Sequence, residues 1–323
     1  MFKQNKLTLF IIIITLFISC ATNSNSTDTA LMPSWNHDDP YPGMEILRYP
    51  NSQAYLFPSV ASDKLIIVIE GAGWNSVLGV KENNTWLWGG MAVALLQELR
   101  DAYTFLVPEK LKRQPGLDYE NDMEDRANYT AKNLVACYTD SINGYLAGHD
   151  FSSIVLIGGS EGALLLPLVY EKINKKDRVV AMVSMSYGGL SMYEQTEILY
   201  NARSGYPAEF IEAFTDVLET FNPEKTEFPD SFEEDYYGLT YKYLNSVLHI
   251  KPLDYYKNID TPILFIHGIY DFIIPFESTF YIQDNLPDKP FEYRYFQWAH
   301  QPDSLNEIIH FRKMIAKWVL SHS

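Results

Sequence analysis

Residues 153–170 read SIVLIGGSEGALLLPLVY, and the fold turns on how this stretch is read. Ile154, Val155, Leu156 and Ile157 form an unbroken apolar run, the pattern of a strand covered on both faces of a parallel sheet. Gly158-Gly159-Ser160-Glu161-Gly162 follows at once, and then comes an apolar segment with helical propensity. The five residues match G-x-S-x-G in the strand–turn–helix context that this pattern requires. Three fixed letters alone match by chance in ~10% of chains this long, so the context carries the reading. The glycines let the turn close tightly and leave Ser160 exposed at its apex. Its hydroxyl then sits beside the N-terminus of the next helix, where backbone N–H groups favour developing negative charge.

Outward from this stretch, further strands are predicted at Lys64–Glu70, Tyr103–Val107, Arg178–Met185, Pro262–Ile266 and Phe291–Phe296. Helical spacing falls between them at Asn84–Arg100, Glu124–Leu146 and Pro275–Asn285, and closes the chain at Leu305–Leu320. Met44–Tyr49 and Gln53–Phe57, separated by Pro50-Asn51-Ser52, read as a leading hairpin. Strands alternating with helices predict an α/β fold with a mostly parallel, doubly wound sheet flanked by helices. A polar loop is expected from Val107 to about Asp122. Met192–Lys257 breaks the alternation, with no convincing strand, several helical stretches (Tyr206–Phe221 the clearest) and many aromatic and acidic residues. It is expected to form a helical lid, at about 192–258, over the carboxyl ends of the strands, its aromatics serving mainly to pack.

A nucleophilic serine needs a general base within hydrogen-bond reach and an acid that orients the base. Downstream of Ser160, one strand leads into His267-Gly268-Ile269-Tyr270-Asp271 and another into Gln297-Trp298-Ala299-His300. Asp271 and His300 therefore sit at carboxyl ends of parallel strands, the edge where open α/β sheets place their sites. Each could instead cap the helix that follows it. His267 comes too early for the base and is expected to pack and hydrogen-bond beneath the acid loop. His149, His249, His310 and His322 follow no strand, and His37 lies near the N-terminus. No H-E-x-x-H, C-x-x-C or clustered His/Asp spacing points to a metal, and no cofactor is expected. Two backbone donors should face the developing negative charge. One is the N–H of Glu161, and the other that of Ala72 or Gly73 in the Gly71-Ala72-Gly73 turn.

Gly158-Gly159-Ser160-Glu161-Gly162 resembles the G-x-S-E-G elbow of α/β-hydrolases of the prolyl-oligopeptidase-like and dienelactone-hydrolase-like branch. The run from Tyr241-Lys242-Tyr243 through Pro252-Leu253-Asp254 to Thr261-Pro262-Ile263-Leu264-Phe265-Ile266-His267-Gly268 is similar to the same group. The resemblance covers roughly residues 44 to 323, with Glu70 where many relatives have His. It implies an α/β-hydrolase fold and acyl transfer to water through an acyl-enzyme, on an ester, thioester or amide, with Ser160, Asp271 and His300 as the triad. A small-molecule acyl substrate is the expected partner. An esterase comes first; a peptidase or amidase and a catalytically idle binding lipoprotein remain as alternatives.

Composition narrows the setting. Against 25 Lys and Arg stand 41 Asp and Glu, a net charge of −16, which argues against nucleic acid or an anionic membrane surface as partner. The N-terminus is different: Lys3 and Lys6 precede an apolar run from Leu7 to Ile18, too short to span a bilayer comfortably. With Leu16-Phe17-Ile18-Ser19-Cys20 it resembles a bacterial lipoprotein signal, which implies cleavage before Cys20, lipid on its sulfur and a place in the cell envelope, at the outer membrane or periplasmic face. A plain signal peptide or an uncleaved anchor is the alternative. The expected organisation is a signal over 1–19, a flexible tether over 20–43 rich in Ser, Thr, Asn, Asp and Pro, and a hydrolase domain over 44–323. Cys137, the other of the two cysteines, then has no partner and is read as a core thiol.

Overall fold

The computed structural model describes residues 43–322 apart from 60–61, 83–84, 88–89, 115–118, 203, 205, 234, 237–238 and 303. The expected signal segment, Cys20 and the tether up to residue 42 lie outside the described residues. Eight strands build one sheet: β1 (Glu45–Arg48), β2 (Gln53–Phe57), β3 (Lys64–Ile69), β4 (Thr104–Pro108), β5 (Ser153–Gly159), β6 (Val179–Met185), β7 (Ile263–Gly268) and β8 (Phe291–Phe296). Their spatial order is β1-β2-β4-β3-β5-β6-β7-β8. Only β2 runs against its neighbours, and every pairing from β4 to β8 is parallel.

The reason for the unbroken apolar strands is visible in β3. Ile66 and Val68 point into one layer, with Leu95 and Leu99 of helix α1 (Met91–Leu99) and Ile315 and Val319 of the last helix, Leu305–Ser321. Leu65, Ile67 and Ile69 point into the other, with Leu134 and Ile142 of Ala131–Ala147 and Leu164 and Leu165 of Glu161–Lys172. Both faces are covered, so no polar alternation survives. Each such side chain contributes about 1.5–3 kcal/mol on burial. Because β3 lies between β4 and β5, the direction of winding reverses there. The crevice this opens at the carboxyl ends of β3 and β5 is where open α/β sheets bind ligands.

Two expected helices are shorter than their periodicity suggested. The segment 84–100 begins as ribbon, Val80–Glu82 pairing with Thr85–Leu87, and α1 starts only after Gly90. Thr85, Trp86 and Leu87 favour extended backbone, and the glycines that follow disfavour helix. The segment 124–146 is two helices, α2 (Met123–Asn128) and α3 (Ala131–Ala147), because Thr130 caps α3, its side chain accepting from Asn133 N at 3.3 Å. On α3 the buried face carries Leu134 and Tyr138, whereas Cys137 lies on the flank, half-buried, its Sγ 3.5 Å from Asn51 O. It is not a core thiol. Burial and the Asp140 charge push it up to about 11, which leaves it a poor nucleophile.

Helix α4 (Glu161–Lys172) follows β5. The insertion between β6 and β7 holds α5 (Met192–Asn201), α6 (Ala208–Thr220), α7 (Tyr241–Val247) and α8 (Leu253–Tyr256). It also contains a short ribbon, Asp235–Tyr236 with Leu239–Thr240, which the sequence reading did not anticipate. Its aromatics pack on one another and on the body: Tyr206 meets Phe214 edge-on at 5.7 Å, and Phe210 meets Phe272 at 5.8 Å. Helices α9 (Glu277–Asn285) and α10 (Leu305–Ser321) complete the chain.

Candidate active site

Ser160 sits at the β5–α4 turn with φ 52° and ψ −118°, a region that non-glycine residues rarely occupy. The turn is forced by close packing. A Cβ on Gly162 would collide with the Ile69 carbonyl oxygen, and one on Gly158 would come within 2.6 Å of Gly162 O. Ser160 N donates to Met185 O at 2.9 Å, which ties the turn to β6. Further along α4, Pro167 has no N–H for the Ala163 carbonyl. The Tyr256 hydroxyl of α8 reaches that oxygen at 3.5 Å.

The structure brings Ser160, His300 and Asp271 into one line. Nδ1 of His300 lies 2.7 Å from Asp271 Oδ2, and its Nε2 lies 3.0 Å from Ser160 Oγ. An ionised carboxylate only accepts, so Nδ1 carries the hydrogen and Nε2 is left to accept the serine proton. Asp271 is itself fixed by its own loop, Oδ1 accepting from Ile273 N and Ile274 N at 2.9 Å each. His267 lies beneath it: Nδ1 meets Thr279 Oγ1 at 2.7 Å, and Nε2 meets Ile274 O at 2.9 Å and Asp271 Oδ2 at 3.4 Å. Burial alone would raise the Asp271 carboxyl, but the His300 charge and the bonds from both imidazoles outweigh it and hold the group well below the usual carboxylate range.

One neighbour was not foreseen. Ser186, at the end of β6, has φ 53°, and its Oγ donates to His300 O at 2.6 Å. No motif marks it. Its place at the carboxyl edge, on the strand beside that of Ser160, was the available signal.

On the other side lies the loop after β3. A Cβ on Gly71 would stand 3.3 Å from Ser160 Cβ and 4.0 Å from its Oγ, so Ala72 and Gly73 follow directly from the point of contact. Gly73 has φ 136°, and its carbonyl accepts from Arg113 Nη1 at 2.6 Å and from Lys110 Nζ at 3.3 Å. Arg113 is fully buried, paired to Asp125 through Nε at 3.0 Å and stacked 4.8 Å from the Tyr129 ring centre. Glu161 starts α4, and its side chain turns inward to accept from the hydroxyls of Tyr129, at 2.8 Å, and Tyr243. Glu70 also turns inward, accepting from Met91 N at 3.0 Å and Ala92 N at 2.7 Å at the start of α1. Burial raises its carboxyl, with those two amides opposing. Among the described residues no group of three or more His, Cys, Asp or Glu is placed to hold a metal ion.

The sheet order, the crossovers and the turn at Ser160 define the α/β-hydrolase fold. Among solved structures, the chain is similar to Est1E from Butyrivibrio proteoclasticus, with a TM-score of 0.55 and 15% identity over 87% of this chain and 98% of that one. It is similar to the Pyrococcus horikoshii acylaminoacyl peptidase, with a TM-score of 0.57 and 14% identity over 86% of this chain but 41% of the peptidase. A proline iminopeptidase from Mycobacterium smegmatis gives a TM-score of 0.55 and 15% identity over 86% of this chain and 98% of that one. No family model and no curated protein matches the sequence.

Proposed function

We propose that this protein is a serine hydrolase that cleaves an ester of a small acyl substrate through an acyl-enzyme. The observation that carries the proposal is the hydrogen-bonded line from Asp271 through His300 to Ser160 at the carboxyl edge of the sheet. Ser160 Oγ attacks the acyl carbon while His300 Nε2 takes its proton. Asp271 holds the imidazole in that tautomer and stabilises the imidazolium. The N–H of Glu161 and that of Ala72 or Gly73 stabilise the oxyanion. His300 returns the proton to the leaving group, and water then repeats the sequence on the acyl-enzyme. The insertion over about 192–258 acts as the lid over this edge, and Phe210 against Phe272, next to Asp271, is the contact that supports this role. The neighbours include a Pyrococcus furiosus esterase and two peptidases, and the peptidase neighbours support amide cleavage as the second reading. An idle binding protein is disfavoured because the three side chains keep working distances.

The test has two parts. A fluorophosphonate probe should label the wild-type protein at Ser160. A panel of p-nitrophenyl esters set against aminoacyl-anilides should then show turnover of esters; turnover of anilides alone would make it a peptidase, and absence of labelling would sink the hydrolase reading.

The same proposal places the enzyme in the bacterial cell envelope, held by lipid on Cys20. A single acyl chain binds membranes only marginally, whereas the several chains of a mature lipoprotein anchor stably. Cys20→Ala should therefore move the protein from the membrane to the soluble fraction. Unchanged fractionation would reject the anchor.

A further inference from the structure

We propose that Lys110 is a positioning residue for the hydrolysis proposed above: its buried ammonium, acting with Arg113, grips the Gly73 carbonyl and holds in place the loop that faces Ser160. The inference rests on the serine-hydrolase reading and adds to it a residue that touches no substrate.

Lys110 comes two residues after β4 and is only 4% exposed. Enclosing an ammonium costs several kcal/mol unless strong partners compensate. Its Nζ bonds the Gly73 carbonyl at 3.3 Å. The charges around it come from four places. Glu109 lies on its own turn, where Oε1 accepts from Lys110 N at 2.8 Å; Arg113 lies a turn further on, Glu70 lies after β3, and Glu161 lies at the start of α4. Glu109 is tied down by the Tyr55 hydroxyl at 2.9 Å and by Ser76. The lysine therefore reaches the back of the loop from a rigid floor.

The loop needs such a grip. Gly73, one of the two glycines of the turn, sits at φ 136°, where other residues are strained. A planar peptide points its C=O and N–H in opposite directions. Pinning the Gly73 oxygen therefore fixes the Gly73–Trp74 peptide plane, and with it the end of the turn from which the Ala72 and Gly73 amides lead back to Gly71. Two cations pin it. Arg113 keeps its charge at every accessible pH, whereas Lys110 can lose its own.

Burial first, and then the like charge of Arg113, lower the Lys110 ammonium to about 8, with Glu161, Glu109 and Glu70 opposing. The grip therefore weakens as pH rises through about 8, and turnover falls with it. Stability moves the other way. An unfolded lysine keeps its proton to about 10.4, so between about 8 and 10 the unfolded chain binds more protons and this group's contribution to stability increases with pH. A loss of activity caused by unfolding would show the opposite trend.

The experiment compares the full-length wild type with Lys110→Met and Lys110→Arg. It reads kcat and KM on a p-nitrophenyl ester from pH 6.5 to 10, thermal midpoints over the same range, and amide hydrogen exchange of the segment containing Gly71–Trp74. Wild-type kcat should fall about tenfold above pH 8, with no matching fall in the midpoint. Lys110→Met should lower kcat at pH 7 by about tenfold or more with KM changed less than about threefold, lose the alkaline limb, and speed exchange in that segment by about tenfold. Lys110→Arg should restore activity and move the limb beyond pH 9.5. If Lys110→Met fails to fold, the wild type and Lys110→Arg still decide, since a limb unchanged in Lys110→Arg overturns the proposal. So does exchange in Lys110→Met at the wild-type rate, whatever the kinetics. A wild type that turns over no substrate and is not labelled at Ser160 sinks the hydrolase reading instead, which sets that failure apart.

Discussion

Two polar clusters flank Ser160, and they are built on opposite plans. On the solvent side, Ser160, His300 and Asp271 stand in single file, each delivered by the end of a different strand and each joined to the next by one hydrogen bond. On the inner side, Glu109, Lys110, Arg113, Asp125 and Glu161 interlock with buried tyrosines, and most of them make several bonds at once. Ser160, half-exposed at the end of the file, can be lost without leaving a charge in the interior unpaired. The network tolerates loss less well, because removing Arg113 leaves Asp125 buried without its charged partner. On the proposed function, chemistry and rigidity fall to different charged groups, and substitutions in the two should separate activity from stability.

The largest separation is expected at Ser160. Ser160→Ala should lower kcat by roughly 10⁴–10⁶, while the thermal midpoint stays within ~2 °C, about the shift that 1 kcal/mol produces in a domain of this size. Residual turnover above a tenth of wild type breaks the assignment.

Asp271→Asn comes next. It preserves size but reverses the hydrogen-bond preference at His300 Nδ1, so kcat should drop by about 10⁴. Because the native carboxyl is held below its usual range, the wild type should be the more stable protein above about pH 4 and should lose that advantage as acid protonates the native group. Urea titrations at pH 7 and pH 3 measure this. A gap that widens toward acid would contradict the account of the Asp271 loop.

The smallest effect in free energy lies in the network. Arg113→Met leaves Asp125 buried without its partner and should cost about 3–5 kcal/mol, read as a fall in the urea midpoint. Activity per folded molecule should decline by far less than in Asp271→Asn. Equal losses of activity in the two variants would erase the distinction between the clusters.

The line of three side chains was legible because each member follows an unmistakable strand. The elbow's glycines are required by collisions with Ile69 O and Gly162 O, so the letters themselves record the geometry. The inner network left no such record. Glu109, Lys110 and Arg113 read as part of an ordinary polar loop, since burial in a turn has no period. Two of their partners, Tyr55 and Gly73, are distant in sequence and meet them only when β2, β3 and β4 stand side by side, and Asp125 comes from the first turn of α2. The break between α2 and α3 was within reach, because Thr130 is a good cap, but the apolar spacing runs on across it. Cys137 shares the spacing of Leu134 and Tyr138 yet lies on the flank of the helix, a difference of angle that letters alone resolve poorly.

The proline in α4 ties the insertion to the helix that begins at Ser160. Pro167 leaves a carbonyl that Tyr256 reaches from α8, and Tyr243 of α7 reaches Glu161 at the start of the same helix. To swing this half of the insertion outward would strip both oxygens of a partner, at about 1–3 kcal/mol for each group left unsatisfied. Helix α5 is bonded to Leu248 at the end of α7, to Lys251 and to Ser278 of α9, while α6 packs on α5 and touches Phe272 of the acid loop. The tied half of the insertion therefore moves only together with the helix that begins at Ser160, and α6 is the part that touches the residue next to Asp271.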